Sequence, residues 1–151
     1  MFSSMDKVFM DRAFELAIES FKDEEVPVGA VVVKNKKIIG EGKNSVISNN
    51  DVTSHAEINA IKNASKKIGN YRLNDCSLYV TLEPCHMCAK AAVDARVSSI
   101  IFAALEPKTG CIVSIDNFLD KKILNHAVDY RYGLMADQSS VLLKKFFKSR
   151  R

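Results

Sequence analysis

The chain is organised around two short sequences, HAE at residues 55–57 and PCHMC at residues 84–88. Together they contain an imidazole, two thiols and a carboxylate. Zinc binds imidazole nitrogen and thiolate sulfur in tetrahedral geometry, and a catalytic zinc keeps one of its four positions open for water. We therefore expect His55, Cys85 and Cys88 to supply three ligands of a catalytic zinc site.

The spacing of the two cysteines supports a metal site. Residues three apart lie on the same face of a helix, and the positive end of a helix stabilises thiolates, which are the form that binds metal. Pro84 suits a chain that enters a helix at its first turn. The alternatives are two unrelated buried cysteines or a structural zinc site, which needs a fourth protein ligand. Candidates for that ligand have no obvious spacing: Cys76, Cys111, His86 and His126.

Glu57 is the candidate proton carrier, because a carboxylate can accept a proton from water and deliver it to a leaving nitrogen. It follows His55 by two residues, a spacing that puts side chains on nearly opposite faces within a helix. Both can face a metal only at the first turn. The alternative is a simple acid favoured by the helix N-terminus. His86 should point about 100° away from Cys85, so we expect it outside the ligand set.

The composition is that of a globular protein, with 47% hydrophobic and 26% charged residues in a chain of 151. We expect one domain over residues 1–151. The N-terminus carries Asp6 and Asp11 and does not resemble a secretory signal, which predicts a cytoplasmic protein. In that setting the four cysteines favour metal binding over disulfides.

The basic character of the chain lies at its C-terminus. Residues 144–151 carry five of the positive charges and no negative ones, which leaves a net charge of −1 for the rest. This distribution suits a local contact with an anionic partner. The alternative is a solvated basic helix end.

Hydrophobic periodicity predicts alternating helices and strands with a hairpin near the start, which is typical of a three-layer α/β sandwich with a mixed sheet. Five strands are expected at 28–33, from Ile38, at 77–82, 100–103 and 127–132. Helices are expected at 6–21, 55–67, 85–96 and 137–148, and a loop at 43–54. The inner faces are expected at Ile58, Ile61, Ala64 and Ile68 in the second helix and at Val141, Leu142 and Phe146 in the last. Glu83 is expected to be a structural acid near a strand end.

Beyond the two central motifs, several segments resemble the bacterial tRNA adenosine deaminases of the TadA type, in the cytidine-deaminase-like zinc deaminase superfamily, whose signature is H-x-E with P-C-x-x-C. The resemblance covers nearly the whole chain. It is carried by PVGAVVV at 27–33, GEGKN at 40–44, HAEINA at 55–60, YRLNDCSLYVTLEPCHMC at 71–88, AKAAVDARVSSIIFAA at 89–104, KTG at 108–110 and KFFKSRR at 145–151.

The resemblance implies a cytidine-deaminase-like fold and zinc-dependent hydrolytic deamination of adenosine to inosine at the tRNA wobble position. It also implies an arginine tRNA as substrate and a homodimer with one zinc per subunit. His55, Cys85 and Cys88 match the ligands, and Glu57 matches the proton shuttle. The positions that match RNA contacts or the wall of the base pocket are Val28, Ala30, Asn44, Asn125, Phe147, Arg150 and Arg151.

The chain departs from the usual family pattern outside the metal motifs. Val52-Thr53-Ser54 stands where Pro-Thr-Ala is usual, Ser45 replaces a common arginine, and Leu105-Glu106-Pro107 and Cys111-Ile112-Val113 are also atypical. These positions concern RNA contacts and loop shape. Two rival functions are a deaminase of a free base, such as guanine or cytosine, and a zinc-stabilised RNA-binding module without catalysis.

Overall fold

A mixed sheet of five strands forms the centre of the computed structural model, which describes residues 1–150. The strands are β1 Gly29–Lys34, β2 Lys37–Lys43, β3 Cys76–Leu82, β4 Ser99–Ala104 and β5 Asp129–Tyr132. Their order across the sheet is β2-β1-β3-β4-β5. β1 runs antiparallel to β2 and β3, whereas β4 runs parallel to β3 and β5.

Helices cover both faces of the sheet. They are α1 Ser4–Lys22, α2 Val46–Asn49, α3 Ala56–Ile68, α4 His86–Asp94 and α5 Ala136–Lys148, with a 3₁₀ turn at Phe118–Asp120. α1 packs on the face that presents Val31 and Val33, and α5 lies on the same side. α3 and α4 pack on the opposite face, against Val32 and Val80. This arrangement confirms the predicted three-layer α/β/α sandwich, since successive strand residues point to opposite layers.

The contact between α3 and β2 is unusually close. A Cβ atom at Gly40 would lie 2.5 Å from the carbonyl oxygen of Ala60, and one at Gly42 would lie 2.3 Å from that of Ala56. Only glycine fits at these positions, so the small residues of α3 face the sheet and its isoleucines are only partly buried. The periodicity had favoured Ile58, Ile61, Ala64 and Ile68 as the inner face, and of these only Ala64 is fully buried.

Two other local predictions differ from the structure. The loop predicted at 43–54 contains α2, a single helical turn. Val141 was expected to face inward from α5, but its side chain is exposed, whereas Phe146 is buried against Phe21 of α1. Within residues 1–150, no helix is both long and apolar enough to cross a membrane.

Candidate functional site

Two helix N-termini meet at the candidate metal centre. His55 has an extended backbone and immediately precedes α3, and Cys85 does the same before α4. Cys88 follows in the first turn of α4 and is fully buried. Because both helices present their positive ends to the cluster, they favour the thiolate forms that a metal requires.

The spacing of the three donor atoms fits a tetrahedral metal. His55 Nδ1 lies 3.4 Å from Cys88 Sγ and 3.7 Å from Cys85 Sγ, and all three donors lie within 4.8 Å of one another. With metal–ligand bonds of ordinary zinc length, two donors at a tetrahedral angle are about 3.6 Å apart. The residues His55, Cys85 and Cys88 can therefore hold a metal ion of this kind.

The two thiols of the cluster differ in their pKa values. A hydrogen bond from the Cys88 thiol, together with one from His55, lowers the pKa of Cys85 to about 4. The hydrogen bond that the Cys88 thiol donates to Cys85 raises the pKa of Cys88, and burial and repulsion by the neighbouring negative charges raise it further. A bound cation would remove this repulsion and leave both sulfurs deprotonated.

Glu57 lies beside the donors, in the first turn of α3. Because His55 lies just outside the helix, its side chain and that of Glu57 are not forced onto nearly opposite helix faces. Both side chains line the same pocket. Burial raises the pKa of Glu57 to about 7, and its carboxyl group interacts with the Cys88 thiol. A carboxyl group with this pKa can both accept and donate a proton near neutral pH.

A pocket of about 310 Å³ opens directly above the cluster. His55, Glu57 and Cys85 lie at its polar end, and its apolar walls include Val28 and Val46. This volume is at the lower end of the range for ligand pockets, roughly 300–1,000 Å³, and suits one nucleoside-sized group. A larger groove of about 780 Å³ follows the β2 edge but contains none of the three donors.

Asn44 presents an unsatisfied acceptor in this pocket. Its side-chain amide donates to the carbonyl oxygen of Val26 at 3.1 Å, which directs Oδ1 the other way. That oxygen is buried and has no hydrogen-bond partner among the described residues. Because an unpaired buried acceptor is costly, a hydrogen bond from a ligand that reaches Oδ1 would stabilise this side chain.

Glu83 is a structural acid, as its position near a strand end suggested. Its buried carboxylate accepts hydrogen bonds from the backbone amides of Glu106, Ile112, Val113 and Ser114, at 2.7–3.0 Å, and from the Ser114 hydroxyl. Burial opposes its ionisation, but these hydrogen bonds outweigh that effect and lower its pKa. Glu83 thereby fixes a loop at 106–114 that borders the pocket through Glu106 and Thr109.

His86 lies outside the donor set, as predicted. Its ring is half exposed, contacts Asp116 through a 2.9 Å hydrogen bond and packs edge-on against Phe118.

Sequence reasoning did not single out Glu25, which is fully buried and also lines the pocket. Its carboxylate accepts from the backbone amides of Ile47 and Ser48 at 3.0 and 2.7 Å, and so fixes the turn of α2 beside the pocket. Nothing in the sequence distinguishes Glu25 from the charged residues directly before it, Lys22, Asp23 and Glu24.

The structure places the other predicted contact residues differently. Val28 lines the pocket, but Ala30 is completely buried in the core and is not part of the lining, which corrects its assignment as a pocket residue. Asn125 is exposed, and its carbonyl oxygen accepts from Arg96 just beyond the C-terminal end of α4. Asn125 is not among the residues that line the pocket.

The basic tail contacts the turn that follows α1. Arg150 stacks over the Phe146 ring, 4.5 Å from its centre, and donates to the carbonyl oxygen of Glu24, which adjoins the pocket residue Glu25. Phe147 is half exposed. Arg151 lies outside the described residues.

A family model described as MafB19-like deaminase matches residues 3–151. A tRNA-specific adenosine deaminase from Haemophilus influenzae is 45% identical over 150 residues, which cover 99% of this chain and 87% of that protein. A structure solved in work on A-to-I editing by tRNA:A34 deaminases at the wobble position of transfer RNA is 39% identical, with a TM-score of 0.88, and covers 90% of this chain and 99% of the other. A guanine deaminase from Bacillus subtilis is 35% identical, with a TM-score of 0.64, and covers 95% of this chain and 92% of the other.

Proposed function

The chain belongs to the MafB19-like deaminase family, and from this premise we propose that it is a tRNA-specific adenosine deaminase that forms inosine at the wobble position of a tRNA anticodon. The observation that carries the proposal is a cluster of three metal donors and a buried carboxyl group beside one small pocket, which is also lined by Asn44 with its unpaired side-chain oxygen. We further propose an arginine tRNA as substrate, a homodimer as the working form and the cytoplasm as its place of action.

The metal in this proposal is one zinc per subunit, held by His55, Cys85 and Cys88. When bound, zinc acts as a Lewis acid and lowers the pKa of a water molecule in its open position. The remaining protein groups bind the base, orient it and move protons.

Glu57 moves the protons of the reaction. Hydrolysis adds water to the amine-bearing carbon of adenine and releases ammonia, so one proton must leave the attacking water and another must reach the departing nitrogen. A single carboxyl group with a pKa of about 7 can perform both transfers in turn.

The target base has to leave its stack before it can enter the pocket. The apolar walls that include Val28 and Val46 can then contact its faces, and Asn44 Oδ1 can accept a hydrogen bond from a hydroxyl or amino group of the nucleoside. The pocket is too small for more than one nucleoside, which leaves the flanking nucleotides to the outer surface.

Recognition of those flanking nucleotides falls to the tail and to Asn125. Phe147 can stack on an unpaired base, and Arg150 and Arg151 can contact phosphates. Because Asn125 does not line the pocket, it can contact only nucleotides away from the target base. The arginine tRNA and these contacts rest on the resemblance of the sequence.

The deciding experiment compares inosine formation on an anticodon stem-loop with deamination of free adenosine, guanine and cytosine. We expect activity on the stem-loop alone. The similarity to a guanine deaminase favours the free-base rival, and deamination of guanine without any on the stem-loop would establish that rival instead. A Glu57→Gln variant should abolish inosine formation and keep its zinc. Unchanged function in that variant would favour an RNA-binding module without catalysis.

A further inference from the structure

A loop at 45–54 connects β2 to α3 and joins the two sides of the pocket. Asn44 directly precedes this loop and His55 directly follows it. The loop contributes Val46 and Ile47 to the pocket lining. Its two ends are held together by a 2.9 Å hydrogen bond from the Ser45 amide to the Ser54 carbonyl oxygen.

Asn59 reinforces this closure from α3. Its side-chain amide donates to the carbonyl oxygen of Lys43 at 2.9 Å and to that of Ser54 at 3.3 Å. Its Oδ1 accepts from the Ser54 hydroxyl at 3.2 Å, and the same hydroxyl accepts from the Asn49 amide at 2.9 Å. Ser54 is 2% exposed, so these polar groups have little access to water.

Asn59 therefore connects the backbone positions next to Asn44 and His55. Lys43 is the neighbour of Asn44, and Ser54 is the neighbour of His55. Asn59 itself belongs to the helix that carries Glu57, so it moves with that helix as a unit.

We infer that Asn59 and Ser54 are positioning residues, which hold the nucleoside-contacting amide of Asn44 at a fixed distance from His55 and Glu57. The inference rests on the proposed function, because it assigns these residues to the geometry of that reaction. A serine before the histidine, where alanine is usual in related sequences, supplies the hydroxyl that completes the network.

Asn63 provides a matched control. It lies one turn after Asn59 on the same helix, and its side-chain amide donates to a carbonyl oxygen of the same strand, that of Glu41, at 2.7 Å. Among the bonds of residues 1–150, its side chain has none to the 45–54 loop.

The test compares Asn59→Ala with Asn63→Ala on the anticodon stem-loop. Displacing a reacting group by about 1 Å can cost roughly 100-fold in rate, so we expect kcat to fall about 10- to 100-fold in Asn59→Ala and to stay within about twofold in Asn63→Ala. Both variants should retain one zinc per chain and bind the stem-loop with a Kd within about threefold of wild type, because neither residue touches the RNA in this proposal.

Ser54→Ala tests the network itself. Its effect and that of Asn59→Ala should be strongly non-additive, since both remove the same hydrogen bond. Equal kcat values for the Asn59→Ala and Asn63→Ala variants would overturn the inference. It would also be overturned if the lower kcat of Asn59→Ala were accompanied by a matching loss of zinc or of thermal stability. Failure of the proposed function would appear differently, as a wild-type protein that forms no inosine.

Discussion

Replacing Glu83 by glutamine should destabilise the protein strongly, although the two side chains have nearly the same shape. One carboxylate oxygen, Oε2, accepts three backbone amides, and Oε1 accepts the Glu106 amide and the Ser114 hydroxyl. A glutamine can keep the three bonds of Oε2. Its NH₂ group then faces the Glu106 amide, which loses its acceptor.

The magnitude follows from these bonds. A buried amide left without an acceptor costs about 1–3 kcal/mol, and the remaining bonds lose the strength that a charged acceptor gives them. Burying a neutral amide costs less free energy than burying a charged carboxylate, and this difference offsets part of the loss. We expect a net loss of about 2–4 kcal/mol, which lowers the melting temperature of a chain this size by roughly 5–15 °C.

Thermal unfolding followed by circular dichroism measures this effect, with Glu106→Gln as the control. The carboxylate of Glu106 accepts a single hydrogen bond, from the Lys108 amide near the surface, and a glutamine oxygen can replace it. The control should melt within about 2 °C of wild type. If Glu83→Gln melted as close to wild type as the control, the buried carboxylate would not be what fixes the 106–114 loop.

Three further outcomes are expected. The Cys88→Ala variant should lose both its zinc and its activity, whereas the control variant Cys76→Ala should keep its zinc. Elemental analysis measures the zinc content, and a Cys88→Ala protein that still contained zinc would show that Cys88 is not a ligand. Burial opposes ionisation of Asp6, but hydrogen bonds, chiefly from Tyr79, hold its pKa at about 2. The ionised carboxylate should therefore contribute about 2 kcal/mol to the free energy of unfolding above about pH 4, and this contribution should be lost as the pH falls towards 2. Urea unfolding should accordingly show the difference between wild type and Asp6→Asn shrinking over that window, and a constant difference would contradict the assignment. Deleting residues 147–151 should weaken stem-loop binding and flatten its dependence on salt, and an unchanged slope would show that the tail does not contact phosphates.

The sequence predicts the sheet and the layers because each depends on a local pattern. The convergence of His55, Glu57, Cys85 and Cys88 is predicted for a different reason, since their side chains together make up the donor set and proton carrier of a catalytic zinc site. Alternation and periodicity place strands and helices, and the proline and cysteine spacing marks the start of α4. The fold class follows from the order of these elements.

Features that depend on the fit between distant segments are harder to predict from the sequence. The inner face of α3 is set by the absence of side chains at Gly40 and Gly42, which the pattern of α3 itself does not contain. Glu25 enters the pocket only because the turn after α1 packs beside α2. Asn125 was assigned by similarity, and its position beyond the far end of α4 depends on a loop that periodicity does not describe.

The convergence of two helix N-termini also has a consequence for how the protein matures. The donors come from positions 30 and 33 residues apart in the chain, and β3 with the loop before it lies between them. A nascent chain therefore lacks the full set until Cys88 has been synthesised, and the three donors come within reach of one ion only where the starts of α3 and α4 lie together. A metal held by these donors would therefore stabilise the folded arrangement of the two helices.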